Sequence, residues 1–109
     1  MRRFLRVTRA AYGAALLAVP SRILRACGGD PADGAALAVA RVLGGRHLVQ
    51  AALAGNDPGA VRRYGGAVVD LLHAASMFAV ARMDAPRRRP ALIDGSVAAA
   101  FGVLGVVAG

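Results

Sequence analysis

The chain has no lysine, no glutamate and no tryptophan, and only one cysteine in 109 residues. Each absence excludes something. Without Glu, acid–base work would fall to six Asp residues, and no two of these stand at catalytic spacing. The lone Cys27 rules out an internal disulfide framework. It has no evident base beside it in the sequence and reads as a plain thiol near a membrane interface. Without Trp, no aromatic belt marks a membrane boundary. There is no phosphate-binding loop and no nucleophile–base pair, so no enzyme class is supported and no cofactor is expected. The length allows one domain, 1–109.

What is present is Ala, Gly and Arg. Apolar residues make up 57% of the chain, and all 14 basic residues are Arg, giving a formal charge of +8. Exclusive use of Arg and Asp reads as a coding bias. The arginines gather at the ends of apolar runs, as they do in membrane proteins, and not along a basic, partly aromatic face of the kind that binds nucleic acid. Nucleic acid is therefore not an expected partner. The bilayer is.

Turn residues divide the chain into four helical segments, and no strand periodicity is visible. Helices are expected at about residues 2–19, 32–55, 58–83 and 90–108. Pro20 ends the first, and Asp33 caps the second. Asp57 caps and Pro58 opens the third, while Asp84 to Pro90 leads into the fourth. The start of the chain mimics a secretory leader, but no small-x-small cleavage site follows, so a retained segment is expected. Its apolar part, residues 10–19, is too short to cross a core about 30 Å thick. Laid along the interface, it leaves three crossings with ten connection arginines on one side and Arg62 and Arg63 on the other. With four crossings the division is six against six. The expected fold is all-α: a small antiparallel membrane bundle of about four helices, the first amphipathic or marginally inserted, as a multi-pass protein of the plasma membrane.

Polar residues interrupt the apolar runs. The second helix carries Arg41, Arg46, His47 and Gln50, the third Asp70 and His73, and the fourth Asp94. At about 1.5 Å per residue, Arg46 and Asp70 fall at one depth in antiparallel neighbours. The same count brings His73 level with Arg41, and Asp94 lies nearer the surface. The expected pairs are Arg46 with Asp70, and Arg41 with His73 or Asp94. The third helix's good inserters supply about −3 kcal/mol, which one unpaired central Asp at roughly +2.5 to +3.5 kcal/mol would cancel. Pairing is therefore expected.

Such a cluster has three uses. It can be a salt-bridge core that fixes helix register, aided by Gln50 and Ser76. It can relay protons through Asp70 and His73, or bind a small anion through Arg41 and Arg46. His47 and His73 without a carboxylate at ligand spacing make no convincing metal site. The Arg87–Arg89 run would anchor to anionic headgroups. Small residues at Ala36, Ala40 and Gly44, and at Ala98–Gly102 and Gly105–Gly109, permit close helix approach within the chain or with a second copy.

The segments Arg41–Gln50 (RVLGGRHLVQ), Val69–Met77 (VDLLHAASM) and Arg87–Asp94 (RRRPALID) resemble a group of small multi-pass membrane proteins of actinobacteria, known as conserved hypothetical membrane proteins. The resemblance covers about residues 37–100. It implies a bundle of about four helices in the plasma membrane, and no reaction, substrate or cofactor. Small multidrug-resistance transporters are similar in length and span number. Their working acid is a Glu in the first span, where this chain has no acid at all.

The expected function is that of a non-enzymatic accessory or structural subunit with a buried Arg/Asp/His core, partnered by lipid and by a second copy or another membrane subunit. The alternatives are a proton-linked transporter or small-anion binder using Asp70, His73 and Arg46, and a soluble Ala-rich bundle.

Overall fold

The computed structural model describes residues 2–54 and 60–108, with the side chains of 3–53 and 64–107. It is all-helical, with no strand among the described residues. The helices are α1 (Arg2–Ala18), α2 (Pro20–Ala26), α3 (Gly34–Ala54), α4 (Ala60–Met83) and α5 (Arg88–Ala108), with a 3₁₀ turn at Ala85–Arg87 before α5.

Breaks and caps follow from local chemistry. Val19 takes a non-helical conformation, and Pro20, which has no N–H to place, starts α2 at its first position. The basic stretch that follows Pro20, with Arg22 and Arg25, is therefore a helix in its own right. It ends in a Schellman motif. Gly29 N–H donates to Leu24 O at 2.8 Å and Gly28 N–H to Arg25 O at 3.1 Å, with Gly28 at a φ of 82°. Asp33 caps α3, its Oδ1 accepting the Ala36 N–H at 3.3 Å. The last helix begins at Arg88, two residues before the expected Pro90, because a proline in the first turn removes no intrahelical bond. The expected Asp57 cap and Pro58 start lie outside the described residues.

The helices associate as two pairs. α1 packs along α3 and α4 along α5, while α3 and α4 meet only sparsely. Both pairs run in opposite directions: Arg9 meets Gln50 where Gly13 meets Gly44, and Gly102 meets Leu71 where Gly95 meets Met77. Hence α1 does not lie across the helix ends as an interfacial helix would; it runs beside α3. Its amphipathic character explains this. Leu5, Tyr12, Gly13 and Leu16 share one face at helical spacing, and that face is the one that packs. At the crossing a Cβ on Gly13 would stand 2.8 Å from Gly44 O, and one on Gly44 would stand 2.6 Å from Gly13 O. Only glycine at both positions permits this approach.

The packed interior is built largely from Ala (40, 51, 67, 74, 81, 91, 98), with Leu16, Leu24, Leu43 and Phe101 as its larger members. At one end Arg87 ties the α4–α5 turn to the cap of α3. Its Nε donates to Asp33 Oδ2 at 2.7 Å and its Nη2 to Asp33 Oδ1 at 3.0 Å, and Nη1 reaches Asp84 Oδ2 at 3.2 Å. The Arg87 hydrogen bond, with the Ala36 N–H, holds the Asp33 carboxyl down at about 2.

Candidate functional site: a buried polar cluster

The two most deeply buried large side chains are not apolar. Asp70 is 0% exposed and His47 is 1% exposed. An unpaired carboxylate could not remain there, and Asp70 is held by two guanidinium groups. Arg9 of α1 grips it as a fork, Nη2 donating to Oδ2 at 2.7 Å and Nη1 to Oδ1 at 3.0 Å. Arg46 of α3 adds a longer contact, Nη2 to Oδ1 at 3.4 Å, and its own Nε is buried without a hydrogen-bond partner.

Arg9 organises the rest of this half. Its Nη1 also donates to Gln50 Oε1 at 3.0 Å and faces His47 Nδ1 at 3.2 Å. A guanidinium has only donors, so Nδ1 accepts and the imidazole proton resides on Nε2. The Arg9 guanidinium carbon stands 4.5 Å from the centroid of the Phe101 ring, a cation–π contact that brings in α5. Tyr12 and His47 meet edge to face with centroids 5.3 Å apart, and His47 and Phe101 are 5.6 Å apart.

A second carboxylate lies beyond these rings. Asp94 of α5 accepts from Tyr12 Oη at 2.7 Å on Oδ1 and from His73 Nε2 at 2.5 Å on Oδ2. The cluster therefore draws on all four long helices: Arg9 and Tyr12 from α1; Arg46, His47 and Gln50 from α3; Asp70 and His73 from α4; Asp94 and Phe101 from α5. Two arginines face two aspartates, so its charges balance when His73 is neutral.

Of the residues singled out in the sequence, Arg46, His47, Gln50 and Asp70 come together in one half of the cluster, and His73 with Asp94 in the other. Arg41 does not join them. It is exposed, and among the described residues no hydrogen bond or ion pair holds it, so the pairing of Arg41 with His73 or Asp94 is replaced by one between His73 and Asp94. Arg9, Tyr12 and Phe101 join the cluster in addition to the residues that the sequence singles out. Their signal was present for Arg9 and Tyr12, which share the packed face of an amphipathic helix with Leu5 and Leu16.

The arrangement can fix helix register, and within it Tyr12, Asp94 and His73 form a continuous hydrogen-bonded line. Among the described residues no group of three His, Cys, Asp or Glu side chains gathers at metal-binding distance. Cys27, at the end of α2, is half-buried; burial pushes its thiol up, away from the reactive thiolate. Comparison of the chain with protein-family models, with characterised proteins and with solved structures returns no match.

Proposed function

We propose that this chain is a small multi-pass protein of the plasma membrane, a non-enzymatic accessory or structural subunit. In this reading its four long helices form an antiparallel bundle locked by the Arg9–Asp70 cluster. One observation carries it: an Ala-rich interior encloses a buried polar cluster, while large apolar side chains stand exposed along the middles of the long helices. Asp70 and His47 are its most buried large side chains, whereas Val42 is 73% exposed and Leu72 64% exposed, with Val49, Val68, Val103 and Val107 more than half exposed. Water would penalise that distribution, and lipid rewards it.

Two helical stretches, Tyr64–Met83 and Ala85–Val107, are long and apolar enough to cross a bilayer. The α1/α3 pair would cross only in company, its Arg9 and Arg46 matched by Asp70 on the α4 hairpin. That gives four crossings, for which the arginine count assigns no side. The same reading groups the chain with the small actinobacterial membrane proteins that its polar helix positions resemble. The exposed valines of α3 would face lipid or a second copy.

Alkaline carbonate extraction of the expressed chain tests this. Retention in the membrane pellet is expected; release into the supernatant, with a chain that stays soluble without detergent, would establish the Ala-rich soluble bundle instead.

A second reading, proton-linked transport, draws on one observation: His73, Asp94 and Tyr12 form a hydrogen-bonded line beside the rings of the core. In this reading that line would carry the proton, while the Arg9–Asp70 fork would serve the structure. Proteoliposomes loaded with a pH dye would show proton uptake after an acid pulse, abolished by Asp94→Asn. Absence of uptake leaves the structural reading alone.

A further inference from the structure

A shallow groove of about 430 Å³ lies where α4 ends and α5 begins, lined by Phe78, Ala81, Arg82, Arg88 and Leu92. Its chemistry is divided. Arg82 and Arg88 make it cationic, and Phe78 and Leu92, both exposed, give it an apolar lining. The cations are also unbalanced. Of the arginines at this end, Arg87 takes both nearby carboxylates, Asp33 and Asp84. Among the described residues neither Arg82 nor Arg88 has an acidic partner. Arg88 spends only its Nε, donating to Ala81 O at 2.7 Å, a bond that fixes its guanidinium over the groove. Both terminal nitrogens of Arg88 and the whole head of Arg82 remain available.

We infer that this groove binds one anionic phospholipid, its phosphate between Arg82 and Arg88 and the start of an acyl chain on Phe78 and Leu92. The inference rests on the membrane reading above, which puts the ends of Tyr64–Met83 and Ala85–Val107 at the bilayer surface. Phosphate and guanidinium are complementary in charge and in fork geometry. The apolar lining selects a lipid over free phosphate, since a bare anion would make no use of Phe78 or Leu92. A groove one helical turn deep on its apolar side matches the boundary between headgroup and acyl chain. General attraction of a basic patch to the bilayer would need neither the apolar lining nor a fixed Arg88.

The test uses the full chain in neutral detergent, titrated with phosphatidylglycerol or phosphatidylcholine of identical acyl chains and read by native mass spectrometry. One phosphatidylglycerol should bind roughly tenfold or more tightly than phosphatidylcholine. Arg82→Gln should weaken it roughly fivefold, and Arg82→Gln with Arg88→Gln further. Arg22→Gln, which removes an exposed charge from α2, should leave binding unchanged. Arg82 is exposed and, among the described residues, bonds to nothing that holds the fold, so its variant reports on lipid even if Arg88→Gln unfolds.

Equal loss in Arg22→Gln would mean diffuse electrostatics and overturn the site. So would glycerol phosphate binding as tightly as the lipid, which would make it a free-phosphate site. Carbonate extraction from phosphatidylcholine vesicles separates the two levels. A chain released there overturns the membrane reading and the site with it, while a chain retained there without lipid preference overturns the site alone.

Discussion

Arg9 holds both carboxylate oxygens of Asp70, at 2.7 and 3.0 Å, across 61 residues of sequence. That fork joins the α1/α3 pair to the α4/α5 pair, together with the Tyr12–Asp94 and Arg87–Asp33 bonds, where direct α3–α4 contact is slight. The longer Arg46 contact adds to it without replacing it. The cluster thus closes the molecule where apolar packing is thinnest.

Asp70→Asn should therefore destabilise strongly. It leaves Arg9 and Arg46 part-buried without the carboxylate that both of them grip, a change of about 3–5 kcal/mol for a buried pair broken on one side. Arg46→Gln should cost about 1 kcal/mol, because its contact is 3.4 Å long and part-exposed. Arg9→Met with Asp70→Leu should recover most of the loss, since it removes both charges together. Denaturation in micelles followed by circular dichroism ranks the four proteins. Equal losses for Arg9→Gln and Arg46→Gln would show that the fork is not the dominant tie.

The glycine crossing gives a sharper contrast. Gly13→Ala or Gly44→Ala places a methyl within 3 Å of backbone on the facing helix and should cost about 1–3 kcal/mol. Gly45→Ala meets nothing within 4 Å and should be neutral or stabilising by up to about 1 kcal/mol, through helix propensity alone. Thermal melts of the three variants check this. Losses of the same size at Gly44 and Gly45 would mean that close approach is not what these positions provide.

The sequence displayed the depth match of Arg46 and Asp70, because rise per residue is fixed in a helix. It concealed the partner choice. Arg41 and Arg46 are five residues apart, which turns them roughly 140° from one another on a helix, so they cannot serve one neighbour. Arg46 looks toward α4 and Arg41 looks out. Arg9 was hidden among the N-terminal arginines, whose count by itself reads as headgroup charge; only its place on the Leu5, Tyr12, Leu16 face distinguishes it. The association of α1 with α3 depends on Gly13 and Gly44 meeting, a relation between distant residues that periodicity within either helix does not contain.

The Asp33–Arg87 tie should titrate. With its carboxyl at about 2 in the folded chain against an ordinary 3.8, Asp33 binds its proton more weakly folded than unfolded. Its contribution is therefore complete above about pH 4 and is lost as pH falls toward 2. Arg87→Gln should bring the Asp33 carboxyl back up, leaving the backbone N–H groups of Ala36 and Ala35 to hold it down, and should flatten this part of the stability curve. Carboxyl carbon shifts followed by NMR in micelles would read the midpoint directly. An unchanged midpoint in Arg87→Gln would assign the effect to the cap alone.

Leu72→Asp separates lipid from water as the surroundings of α4. Leu72 projects from the middle of that helix and is 64% exposed. On a soluble bundle an exposed leucine replaced by aspartate changes stability by no more than about 0.5 kcal/mol and improves solubility. Facing hydrocarbon, the same aspartate adds roughly 2.5–3.5 kcal/mol to insertion, enough to cancel what the apolar residues of α4 supply. Asp70, two residues away and turned to the opposite face, is tolerated only because Arg9 and Arg46 meet it, and among the described residues no such partner is paired with Leu72. The membrane fraction of Leu72→Asp, compared with Leu72→Ala, should fall sharply while the alanine variant stays near the parent. An aspartate variant that partitions like the parent would mean that α4 turns this face to water.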